Sequence, residues 1–283
     1  MGIGRLLARV APMLLAGCAL FTSLDGFSSG GSGDRTDDAG DAGGDGAVVA
    51  DTGGDDGAAD GGADTSSEPF CASQPPTSRC TSFDDENLAF PFDEVKVGPG
   101  VNSYTTSDVV SAPRAMIASV PASSDAQVGA TCGLVTTFDA PATSISARFA
   151  FRQVSTPASA TNGLEIANLL FLAPGVDYQV NLTLAPNGRL YLDEYSGTPG
   201  RYTNSLFGPL GAGWHTIKLT ATLEGGSTGK AVLEVDGTTK EFVLGPVLDR
   251  GTSAVVYLGA AYLRGVHSGW SVALDDVVAS ASD

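Results

Sequence analysis

Histidine is almost missing from this 283-residue chain, which has 2, and sulfur is scarce, at 4 cysteines and 3 methionines. No Cys-Xaa-Xaa-Cys pair or Cys/His cluster occurs, which removes zinc modules from consideration. Basic residues are few as well, 15 against 32 acids, for a formal charge of −17. So acidic a chain has no electrostatic footing on phosphate backbones, and nucleic acid is excluded as a partner. No apolar run reaches the roughly 20 residues of a spanning helix. From residue 69 onward no window carries a helical apolar stripe, so helical and α/β folds are excluded.

At the N-terminus Arg5 and Arg9 precede a short apolar run from Val10 to Ala16, then Gly17-Cys18. A basic region, a short apolar core and small residues at the cut site mark residues 1–17 as a secretory signal. Leu15-Ala16-Gly17-Cys18 resembles the lipobox of bacterial lipoproteins. That resemblance implies a diacylglyceryl group on the Cys18 thiol, cleavage just before it, and a membrane partner reached through the lipid. Several acyl chains hold where one would leave, at about 0.8 kcal/mol per buried methylene. Ala19, rather than an aspartate, follows the cysteine, which implies sorting to the outer membrane of a diderm cell.

Residues 18–68 form the second region, nearly all Gly, Ala, Asp, Ser and Thr from about Leu24 on. Such a segment cannot bury enough apolar area to offset its ordering entropy, and it is expected to be a disordered spacer extended by its own charge. It carries twelve acids and one base, Arg35; with it and the signal's Arg5 and Arg9 set aside, the region from Pro69 onward carries only −8.

Residues 69–283 suit one large domain, and its pattern is β throughout. Ala147, Phe149 and Phe151 alternate with Arg148, Ala150 and Arg152. Tyr178, Val180, Leu182 and Leu184 alternate with Gln179, Asn181 and Thr183. After Pro186-Asn187-Gly188, Leu190 and Leu192 alternate with Arg189, Tyr191, Asp193 and Tyr195. Ile217, Leu219, Ala221 and Leu223 alternate with Thr216, Lys218, Thr220 and Thr222. Period two with one apolar face is the mark of half-buried antiparallel strands. Asp236-Gly237 between Ala231–Val235 and Thr239–Leu244 predicts a two-residue hairpin. Ser253–Leu263, apolar on both faces, reads as a central strand. The fold class is all-β, a two-sheet antiparallel sandwich.

Gly213-Trp214-His215-Thr216-Ile217 and Leu233-Glu234-Val235-Asp236-Gly237 resemble strands of the concanavalin A-like superfamily, laminin-G-like and pentraxin-like modules above all. Ser82-Phe83-Asp84-Asp85 looks like the first strand of such domains and Leu274-Asp275-Asp276-Val277-Val278 like the last. The resemblance implies a jelly roll whose relatives bind glycans or proteins, or cleave polysaccharides. It also makes His215 a structural mark; His267 reads as a loop residue. Glu234-Val235-Asp236 has the start of a laminarinase-type signature but lacks its second glutamate, and the alginate-lyase signatures are missing.

Cys71 and Cys80 flank a turn-prone loop that brings them together as a disulfide, leaving Cys132 as a buried thiol; a Cys80–Cys132 pairing is the alternative. No cofactor is implied outright. A structural calcium ion is a further option, with Asp84, Asp85, Asp275 and Asp276 as oxygen ligands if the first and last strands pair. The polar faces left by alternation supply the candidate ligand site: Arg148, Arg152, Gln179, Asn181, Arg189, Tyr191, Asp193, Tyr195 and Lys218. Tyrosine beside amide, carboxylate and guanidinium suits a sugar, because rings cover C–H patches and planar polar groups bind hydroxyls. The expected function is a surface-anchored binding module that recognises a glycan. A protein-binding adhesion or structural module, and a polysaccharide hydrolase or lyase on the same fold, are the alternatives.

Overall fold

The computed structural model describes residues 70–84, 91–125, 129–155, 163–196, 201–202, 207–246, 248–264 and 267–283. The expected signal, lipobox and tether, and Asp85 of the expected calcium set, lie outside them. The described chain begins with a 3-10 turn, Phe70–Ser73, and continues in fifteen strands. These are β1 (Arg79–Thr81), β2 (Asp93–Val97), β3 (Val101–Thr105), β4 (Ala115–Ser123), β5 (Gly129–Phe138), β6 (Ser144–Ser155), β7 (Leu164–Ala173) and β8 (Val176–Leu184). There follow β9 (Leu190–Tyr195), β10 (Arg201–Tyr202), β11 (His215–Gly225), β12 (Thr228–Val235), β13 (Thr238–Leu244), β14 (Ser253–Arg264) and β15 (His267–Ser282).

The strands form two antiparallel sheets in a jelly-roll sandwich. The first runs β13-β12-β11-β6-β15-β4-β3, with β1 also paired to β15, and the second runs β10-β9-β8-β7-β14-β5-β2. Alternation places one apolar set per strand between them: Ile145, Ala147, Phe149 and Phe151 from β6 meet Leu169, Phe171, Tyr178 and Val180 from β7 and β8, all buried. Each such side chain contributes about 1.5–3 kcal/mol over remaining in water. The 1 % exposed Trp270 of β15 is among the largest of them.

Several expectations hold. Asp236 and Gly237 take left-handed φ of 50° and 78°, the tight turn that joins β12 to β13. Ser253–Leu263 falls within β14, which is flanked by β7 and β5. His215 sits on the core-facing side of β11, where its Nδ1 lies 2.7 Å from Asp236 Oδ2 and its Nε2 is 3.0 Å from the Gly211 carbonyl. Burial works against the imidazolium, but Asp236 and the Gly211 carbonyl outweigh it and hold His215 above its usual value. The pair pins the hairpin to the neighbouring strand. His267, expected in a loop, instead begins β15. Cys71 and Cys80 are joined, and Cys132 is a buried free thiol whose pKa burial pushes up to about 11.

Candidate functional site

The residues proposed from alternation as one surface lie on two. Arg148, Arg152 and Lys218 project from the outer face of the first sheet, on β6 and β11, with Lys218 directly opposite Arg148. Gln179, Asn181, Tyr191, Asp193 and Tyr195 project from the outer face of the second, on β8 and β9, and Arg189 stands exposed in the turn before β9. Alternation tells inside from outside, but it does not tell which sheet a strand joins.

The first sheet's outer face is committed elsewhere. Arg152 pairs with Asp108 and lies over the Trp214 ring, 5.1 Å from its centroid. Arg148 covers the Phe70 ring at 5.7 Å. Thr216, Lys218, Lys230, Thr239, Glu241 and Val243 are exposed, a solvated face. A shallow hollow of about 360 Å³ is lined by Val101, Pro121, Ser155, Trp270 and their neighbours, and Ser119 and Ser271 hydrogen-bond each other there.

β1 pairs with β15, but it ends at Thr81, so Ser82, Phe83 and Asp84 of the expected first strand lie outside it. Asp275 is fully buried and already accepts from the Val110 and Ser111 amides, both at 3.0 Å, and from the Asp276 amide at 2.9 Å. Asp276 accepts from Ser111 Oγ at 3.0 Å. The two carboxylates tie the loop before β4 onto the sheet, and among the described residues no three His, Cys, Asp or Glu side chains gather as a metal set. Gly225-Gly226-Ser227-Thr228-Gly229 has the spacing of a serine nucleophile elbow, yet it is the turn between antiparallel β11 and β12, with no helix after it.

The second sheet's outer face is different. Its register lines side chains into three rows across β9, β8, β7 and β14: Tyr195–Gln179–Leu170–Val255, Asp193–Asn181–Asn168–Tyr257, and Tyr191–Thr183–Glu165–Tyr262. Each row spans about 14 Å at the usual strand spacing. None of these twelve side chains is exposed; all are half-buried or buried. Asn168 Nδ2 donates to Gln179 Oε1 at 3.0 Å, and Gln179 Nε2 donates to Asp177 Oδ2 at 3.3 Å. Thr183 Oγ1 donates to Asp193 Oδ2 at 2.8 Å. On this face two amide oxygens have no partner among the described residues: the buried Oδ1 atoms of Asn168 and Asn181, opposite each other on neighbouring strands. Asn181 as a whole is 8 % exposed.

The rows also hold perturbed acids. Burial, with the Asp193 charge adding to it, pushes the Glu165 carboxyl up to about 8. Burial pushes Asp193 up to about 6 although Thr183 donates to it, and burial also raises the Tyr257 phenol. Register shifts fall beside Glu165 in β7 and beside Tyr262 in β14, and such irregularities re-aim side chains at functional rims. Glu165, Asn168, Tyr257 and Tyr262 were not among the residues expected from sequence. The available signal was a lone Glu and a lone Asn inside the otherwise apolar Leu164–Ala173.

The architecture defines an all-β jelly roll with one sheltered, polar and aromatic sheet face. No known family's profile matches the chain, and no curated protein matches it. Among solved structures it is similar to an endo-β-1,4-glucuronan lyase from Trichoderma reesei, with a TM-score of 0.50 and 14 % identity over 74 % of this chain and 96 % of that one. The alginate lyase Aly36B aligns at a TM-score of 0.46 and 11 % identity, over 73 % and 98 % of the two chains. An alginate lyase from Chlorella virus gives 0.46 and 11 %, over 68 % and 93 %. At such identities the likeness is one of fold.

Proposed function

We propose that this domain recognises a polysaccharide laid across the outer face of the second sheet. The observation that carries the reading is the contrast between faces: one solvated and charged, the other sheltered, with tyrosines, carboxamides and unpaired amide oxygens in register. A buried acceptor without a donor costs about 1–3 kcal/mol, and sugar hydroxyls supply such donors. Tyr191 and Tyr195, two rows apart on one strand, offer ring surface to C–H patches. The fold shared with a glucuronan lyase supports a polysaccharide as ligand over a protein. It also supports a second reading, that the face cleaves the chain it holds. The proposal places this domain at a membrane surface through lipid on Cys18.

The test is affinity electrophoresis of the domain in gels containing neutral β-glucan, xylan, galactan, alginate or glucuronan. The wild type is expected to be retarded by at least one of them, and Tyr191→Ala with Tyr195→Ala to lose most of that retention while its melting temperature moves by only a few degrees. A large fall in melting temperature with unchanged retention makes the tyrosines packing residues and defeats the reading.

A further inference from the structure

The three rows contain two carboxyl groups in different protonation environments and no Lys, Arg or His. Glu165 and Asp193 occupy adjacent rows two strands apart, about 10 Å across the sheet at the backbone, with Thr183 between them. Thr183 Oγ1 donates to Asp193 Oδ2. A pair of acids alone marks no site, but these flank Asn181, nine-tenths buried with its Oδ1 unpartnered on the same face. The unmet acceptor points to a ligand that brings hydroxyl donors into the space between the two carboxyls. No cation on these rows neutralises a uronate carboxylate, and a polyuronate would set its charge against the ionised Asp193. The fitting substrate is an uncharged polysaccharide.

We propose that Glu165 and Asp193 are the proton donor and proton acceptor for hydrolysis of a neutral polysaccharide held across the second sheet. The proposal rests on the recognition reading above. Glu165 gives its proton to the bridging oxygen as the bond from that oxygen to the anomeric carbon breaks. Water forms the new bond to the anomeric carbon and gives a proton to Asp193. Exchange with solvent returns Asp193 to the carboxylate and Glu165 to the acid, so one water is consumed per linkage and one new reducing end appears. The division of labour follows from environment: at neutral pH the acid pushed up to about 8 keeps its proton, and the one near 6 is largely ionised.

The experiment incubates the domain with β-glucan, xylan and galactan, and separately with alginate and glucuronan, in oxygen-18 water. New reducing ends carrying the label, released from a neutral polysaccharide that also retards the protein, are the expected result. Activity should follow a bell between about 6 and 8, falling on the acid side as Asp193 protonates and on the alkaline side as Glu165 ionises. Glu165→Gln should lower kcat at least about 100-fold with KM little changed and remove the alkaline limb. Asp193→Asn should do the same for the acid limb. The stability signature of burial accompanies either role, but a merely structural Glu165 predicts unchanged kcat and an unchanged alkaline limb on substitution. Its raised pKa means ionisation destabilises the fold as pH rises toward 8, so Glu165→Gln should melt above wild type at pH 8 and near it at pH 5.

Several results overturn the proposal. Retention without new reducing ends leaves recognition standing and ends the hydrolysis proposal. Absence of retention from every polysaccharide ends both. Unlabelled, ultraviolet-absorbing unsaturated ends make the cleavage an elimination. A Glu165→Gln protein that melts lower and keeps full activity makes Glu165 structural. Should that variant fail to fold, Asp193→Asn decides by the same readouts.

Discussion

A carboxamide oxygen buried without a donor is a cost the folded chain carries alone, and Asn168 and Asn181 carry it side by side. Replacing such a group by an apolar side chain of similar shape is often neutral or stabilising, whereas removing a group that pairs with ligand weakens binding. Asn181→Leu is therefore expected to melt at or above the wild-type temperature while retention on the bound polysaccharide falls about tenfold. Differential scanning fluorimetry beside affinity electrophoresis reads both, and a drop of several degrees would show that Asn181 supports the fold instead. At this scale the sequence was half legible. Tyr191, Asp193, Tyr195, Gln179 and Asn181 stood out because β8 and β9 alternate cleanly. Glu165, Asn168 and Tyr257 did not, because the outward positions of β7 and β14 also include buried apolar side chains, as Leu170 and Val255 are. Periodicity has little to report where both faces carry apolar side chains.

Among elements, β8, β9, β11, β12, β13 and β14 fall where alternation and turn chemistry put them. The assignment of strands to sheets does not follow from either, which is why Arg148, Arg152 and Lys218 were grouped with residues on the opposite side of the sandwich. That grouping required knowing that β11 pairs with β6 while β8 pairs with β7 and β9, a matter of long-range register. The entry to the domain is a separate element, where the Cys71–Cys80 bond ties the Phe70–Ser73 turn to β1. Closing so short a loop restricts the unfolded chain by about 2–3 kcal/mol. Replacing both cysteines by serine should lower the melting temperature by roughly 4–12 °C, at about 2–4 °C per kcal/mol for a domain of this size. Glycan retention should be unaffected, since the rows of the second sheet lie elsewhere; a parallel loss of retention would tie the entry turn to the binding face.

At the scale of the whole chain, charge and anchoring are separable from the sandwich. About half of the −17 belongs to the stretch before Pro69, and the −8 of the domain sets up no charge repulsion with a neutral polysaccharide. The proposed anchor is tested by Cys18→Ser, which should move the protein from the membrane pellet to the soluble fraction and leave the signal uncleaved. Normal maturation with continued membrane partition would defeat it.

β14 and β15 are the last strands in chain order, yet β14 sits between β7 and β5, and β15 between β6 and β4. Neither sheet can be completed while the ribosome still holds that part of the chain, and the pairing of β6 with β15 joins segments more than a hundred residues apart. Until then the nascent polypeptide remains without its keystones. A chain wired in this order cannot lock either sheet shut until β14 and β15 have both emerged, and the strands made before them wait with open edges until then.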